Sequence, residues 1–81
     1  MREFHVFSAK RLGWETMYDY IPFPVEKFSK DEAEKQFIAV KKCTTKNNGE
    51  SYPYTAYEYD NTTYYSILYL GIKTEEEYNR L

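Results

Sequence analysis

The sequence predicts an α+β domain, a four-stranded, mainly antiparallel sheet packed on one helix in the order ββαββ, with a short helix at the C-terminus. Three observations predict it. Strand-like runs rich in aromatic and β-branched residues lie towards both ends, a helix capping box stands midway along the chain, and a turn signal divides the later run into a hairpin. Residues 1–81 are expected to form a single domain.

The first run, Glu3 to Lys10, is dense in apolar residues (Phe4, Val6, Phe7, Ala9) over the length of one strand, and Leu12-Gly13 follows as a turn. From Trp14 to Ile21 alternation puts Trp14, Thr16, Tyr18 and Tyr20 on one face and Met17 and Ile21 on the other. These two strands are expected to make a hairpin. Pro22-Phe23-Pro24 should end the second strand, because neither proline can donate to a ladder and each restrains the residue before it.

Ser29-Lys30-Asp31-Glu32 is a capping box, in which the Ser29 hydroxyl and the Glu32 carboxylate each satisfy a free backbone donor of the other. The helix it opens is read through Ala33, Phe37 and Val40 or Lys41 on one face, with Lys41 and Lys42 where a helix C-terminus favours positive charge. Its end is expected near Cys43, with Lys46 to Glu50 as a loop. Ser51 to Tyr59 then reads as a third strand of edge character, because of Pro53, and Tyr64 to Ile72 as a fourth, joined through Asp60-Asn61-Thr62-Thr63. Thr74 to Glu77 repeats the capping-box logic for a helix of one or two turns. Two hairpins around one long helix resemble the element order of a β-grasp domain, which implies a sheet wrapped over one side of the helix.

Composition excludes several functions. A net charge of −2 and a pI near 5.4 argue against a protein that binds nucleic acid chiefly by neutralising phosphates, which needs Lys and Arg massed on one face. Interspersed charges equally disfavour a DNA mimic. No apolar run approaches a membrane span, the first residues enter strand-like sequence at once rather than reading as a targeting segment, and the single Cys43 favours a reducing compartment, with the cytoplasm as the default.

No catalytic or metal-binding constellation is visible, so an enzyme is not expected and no cofactor or metal is assigned. His5 is the only histidine and has no sequence neighbour suited to nucleophile or ligand chemistry, so a structural role outweighs a catalytic one. Cys43 falls late in the expected helix, where the dipole disfavours a thiolate. The glycines are isolated, which leaves no phosphate cradle, and the carboxylate clusters at Asp31 to Glu34 and Glu75 to Glu77 are accounted for by capping.

What remains is the tyrosine. Ten of the 81 residues are Tyr, and seven of them lie between Tyr52 and Tyr69. One helix covers one face of a four-stranded sheet, so some rings should stay accessible, where a rigid apolar body with a polar tip suits an interface. Tyr57, Tyr59, Tyr65 and Tyr69, with Glu58 and Asp60 beside them, are the candidate partner-binding residues. The function expected is a non-enzymatic module, monomer or homodimer, that docks a protein partner. The rival is single-stranded nucleic-acid binding by tyrosine stacking, ranked lower because basic groupings are few. Small size, absence of motifs and A/T-biased composition resemble accessory proteins of phages or mobile elements, which implies inhibition of a host protein, a defence protein included.

Overall fold

The computed structural model describes residues 2–13, 17–47 and 49–81. Five strands and two short helices follow one another as β1 (Glu3–Arg11), β2 (Tyr18–Pro24), α1 (Lys30–Glu34), β3 (Ile38–Asn47), β4 (Glu50–Tyr59), β5 (Thr62–Thr74) and α2 (Glu75–Asn79). All pairings are antiparallel, and the spatial order is β2-β1-β5-β4-β3. The α+β class, the first hairpin and the last hairpin agree with the sequence reading. Four strands in the order ββαββ do not.

The correction falls on residues 38–47. The expected helix stops at Glu34, and the chain leaves it through two tight backbone bonds, Gln36 N–H to Ala33 O at 3.1 Å and Phe37 N–H to Glu34 O at 3.2 Å. Ala33 and Phe37 have the i, i+4 spacing of a helix stripe and both are buried, yet a single turn suffices to bury them. Beyond Val40 a longer helix would gain little, because Lys41, Lys42, Thr44 and Thr45 add little apolar surface. As a strand the segment supplies β4 with a full ladder, from Ile38 opposite Glu58 to Asn47 opposite Glu50. Lys41 and Lys42 are therefore strand residues; β3 runs on to Asn47, opposite Glu50 at the start of β4, and Gly49 before it takes φ +80°.

Both capping boxes are present. Ser29 Oγ accepts from Glu32 N–H while the Glu32 carboxylate accepts from Ser29 N–H, each at 3.1 Å, and Thr74 with Glu77 does the same for α2. Pro22 and Pro24 do not end the second strand but belong to it, opposite Val6 and Phe4. β2 is an outer strand of the sheet, where a missing N–H on the solvent side costs no ladder bond. Asp60 and Asn61, at φ +48° and +61°, form a two-residue turn closed by Tyr59 opposite Thr62, with the left-handed pair of angles that matches hairpin twist. Trp14 and Thr16, expected beside Tyr18 and Tyr20, lie outside the described residues.

One side of the sheet carries the core. Phe7, Ala9, Ile21, Phe23, Ala33, Phe37 and Tyr64 form a buried cluster, with Phe28, Tyr57, Tyr59, Ile67 and Tyr69 packed around it. Ring meets ring throughout: Phe37 lies 5.1 Å from Tyr59, 5.4 Å from Phe7 and 5.9 Å from Phe23, mostly tilted or edge-on, the arrangement that ring quadrupoles favour. α1 and the aromatic residues flanking it, Phe28 and Phe37, thus cover the centre of this front face, while Ile72, opposite His5 at its end, stays exposed. Among the described residues no helix is long and apolar enough to cross a membrane.

Candidate functional site

Strand alternation, corrected for two register shifts, decides what each tyrosine does. From β1, His5, Phe7, Ala9 and Arg11 face the core side, and Phe4, Val6, Ser8 and Lys10 face the back. β5 follows with Tyr64, Ile67 and Tyr69 in front and Ser66, Leu68 and Lys73 behind, because the irregularity beside Lys10 and Arg11 shifts the parity of the strand at Tyr65. A second irregularity, where Val6 meets Gly71 and Phe7 meets Tyr69, sets Gly71 at φ +97°.

The front tyrosines are structural by their contacts. Tyr64 is buried and donates its hydroxyl to the Asp19 carboxylate at 2.7 Å, while Arg11 clasps the same carboxylate through two N–H groups at 2.9 and 3.1 Å. Hydrogen bonding to Arg11 holds the Asp19 carboxyl below its ordinary range, and the Tyr64 hydroxyl adds to the effect. Burial, reinforced by the bond to Asp19, pushes the Tyr64 phenol up to about 12. A phenol so held stays protonated, the opposite of an activated nucleophile or base.

His5 is buried and shares a hydrogen bond of 3.0 Å with the Tyr69 hydroxyl through Nδ1, and Lys30 Nζ stands 4.9 Å over the Tyr69 ring. The Cys43 side chain lies outside the described residues. Its backbone belongs to β3, three strands from β1, or roughly 14 Å at about 4.8 Å per strand. His5 and Cys43 are thus not brought together along the sheet. No group of three or more metal-ligating side chains converges among the described residues, and an open groove of about 300 Å³ beside Lys42, Pro53, Tyr54 and Thr55 brings together one amine and two hydroxyls.

The back face is covered at one end, by α2. Tyr78 of α2 rests on Phe4 at 6.0 Å between ring centroids and donates its hydroxyl to the Tyr20 carbonyl at 2.7 Å, and Phe4 and Val6 beneath are buried. Beyond α2 the cover ends. Leu68 is 62% exposed and Tyr18 52%, with Tyr20 exposed between them and α2. Lys10 stands at the centre of this open area, its Nζ 5.4 Å from the ring centroids of both Tyr18 and Tyr65. Tyr65 in turn meets Tyr54 edge-on at 5.8 Å. Hydrogen bonding to Tyr65 and the electrostatics of both phenols raise the Lys10 pKa above its ordinary value, so the amine is charged at every physiological pH.

Of the six partner-binding candidates, Tyr65 joins this open face, and alternation along β4 puts the exposed Glu58 on the same side at its rim. Tyr57, Tyr59 and Tyr69 are half-buried against the front core, and Asp60 is exposed in the hairpin turn. Lys10, Tyr20 and Leu68 were not singled out from the sequence. The available signal was the alternation of Tyr18 and Tyr20 across the hairpin from Lys10, near the end of β1. Fold and surface together define a small antiparallel α+β domain with one face that carries the aromatic core and one open one. The chain matches no protein-family model, no curated protein and no solved structure.

Proposed function

We propose that this protein is a binding module that docks a protein partner on the open back face, with Tyr18, Tyr20, Tyr65 and Leu68 as the contact residues and no chemistry of its own. The observation that carries the reading is the exposure of Leu68, Tyr18 and Tyr20 near one another on one face of a sheet whose other face carries the aromatic core. Clustered aromatic and aliphatic side chains on regular strands present contact area with little conformational entropy left to lose, the property of interface anchors.

The test is site-specific photocross-linking. A benzoylphenylalanine at position 20 or 68 should trap a protein in lysate of the source organism, and one at position 59 on the core face should trap none. Equal trapping from both faces would refute the assignment. The more specific expectation from composition, inhibition of a host defence protein by a phage or mobile-element accessory protein, is one form of this reading, and the identity of the trapped protein decides it.

Single-strand nucleic-acid binding is the second reading, favoured by Lys10 lying between two rings that could stack bases. It ranks lower because phosphate tracking needs several cations along a groove. Titration with fluorescent oligothymidine at two salt concentrations separates the readings, since phosphate contacts weaken steeply with salt.

A further inference from the structure

The open face carries a demand on whatever covers it. Among the described side chains, Lys10 is the only charged one inside the patch formed by Tyr18, Tyr20, Tyr65 and Leu68, with Glu58 standing at the rim. Its ammonium is held between two rings at 5.4 Å from each, so it has limited freedom to swing out to solvent when the patch is covered. A partner seated over Leu68 and Tyr18 must remove water from that charge. Cation–π contact offsets part of the lost hydration, but an ammonium enclosed without a counter-ion remains strongly unfavourable. A carboxylate placed over it would turn the penalty into a specific, charge-assisted contact in a geometry already set by the two rings.

We propose, resting on the reading of this face as a protein-docking surface, that its partner is an acidic peptide segment which places an Asp or Glu carboxylate on Lys10 while apolar neighbours cover Leu68 and Tyr18. Complementary charge decides for a peptide over a nucleic acid: one fixed cation matches one carboxylate, whereas a phosphate backbone calls for a row of cations.

The experiment is selection from a random dodecapeptide library displayed on phage, run against the whole chain and against the Lys10→Glu and Leu68→Asp variants, each first checked for a native circular dichroism spectrum. The wild-type chain should enrich peptides with Asp or Glu flanked by apolar residues, and Lys10→Glu should enrich Lys or Arg at the same place. A synthetic copy of the best peptide should lose about tenfold or more in affinity against Lys10→Glu, and recover most of it when its own acid is changed to Lys. Enriched peptides without an acid, or the same sequences from wild type and Lys10→Glu, would overturn the inference while leaving the docking face in place. Enrichment no greater than against Leu68→Asp would overturn the docking face itself, and the inference with it. Saturable, salt-sensitive binding of oligothymidine in competition with the peptide would also overturn the inference.

Discussion

Replacing Phe7 by Ala and, separately, Leu68 by Ala tests the assignment of the two faces on which the functional reading depends. Phe7 is 1% exposed and lies within 5.8 Å of the rings of Phe23, Phe37 and Tyr69, so truncation leaves a cavity lined by rings with little freedom to collapse. A buried Phe to Ala change costs about 3–5 kcal/mol. A domain of 81 residues is stable by only about 4–12 kcal/mol, at roughly 0.05–0.15 kcal/mol per residue, so the variant should lose about a quarter or more of its stability. At roughly 4–8 °C per kcal/mol in this size class, its Tm should fall by more than about 12 °C. Leu68→Ala, on the open face, should stay within about 0.5 kcal/mol. Urea denaturation followed by circular dichroism measures both. A Phe7→Ala loss under about 1 kcal/mol, or a Leu68→Ala loss above about 2 kcal/mol, would show that the core and open faces have been exchanged.

Three further outcomes follow from the Arg11, Asp19 and Tyr64 cluster and from Gly71. The folded pKa of Asp19 lies below its unfolded value, so its contribution is present above about pH 4 and is lost as pH falls through the folded pKa; Asp19→Asn should flatten that acid limb in denaturation measured between neutral and acid pH. The folded pKa of Tyr64 is raised to about 12, so its contribution is complete below about pH 10 and is lost as pH rises through 12; Tyr64→Phe should remove that alkaline loss in the same assay. Gly71→Ala should destabilise by about 1–2 kcal/mol in urea denaturation through its φ of +97° alone, because a Cβ there meets no atom within 4 Å.

Features fixed by local chemistry were legible in the sequence: the two capping boxes and a turn within Asp60 to Thr63 rest on residues within a few positions of one another. The fate of residues 38–47 was not. Ala33, Phe37 and Val40 fit a helix stripe, and only the existence of β4 as a waiting ladder makes the segment a strand, which is a long-range condition. For the same reason the tyrosines were visible as a class but not by face. Period-two counting carries no knowledge of the shift at Tyr65 and would keep Tyr65 and Tyr69 on one side, whereas Tyr65 lies on the open patch and Tyr69 joins Tyr64 in the core beside Phe7. Partner-binding candidates chosen by density of tyrosine along the second hairpin therefore divide between both faces.

The open patch also borders the least supported part of the fold. Among the described residues β4 pairs with β5 from Tyr57 to Tyr59, while it pairs with β3 from Glu50 to Glu58, so the backbone of the hairpin away from Tyr57 is held mainly by its own ladder. The shape agrees: the radius of gyration is 14.0 Å, against about 12 Å for a compact chain of this length, and the long axis is 48 Å against 24 and 20 Å. A two-stranded ribbon is marginal in water on its own, whereas β1 is paired on both sides and carries the core. Hydrogen exchange should therefore find the amides of Lys42 to Thr44 and of Thr55 exchanging roughly a hundredfold or more faster than those of Phe7 and Ala9, since local opening free energies range from near zero up to the global value. Protection within about tenfold across the two sets would mean that β4 zips onto β5 past Tyr57. Tyr54 rests its ring on Tyr65, so opening of the hairpin would loosen the ring that holds Lys10, and a peptide bound there should slow exchange at Thr55 as well as at Lys10.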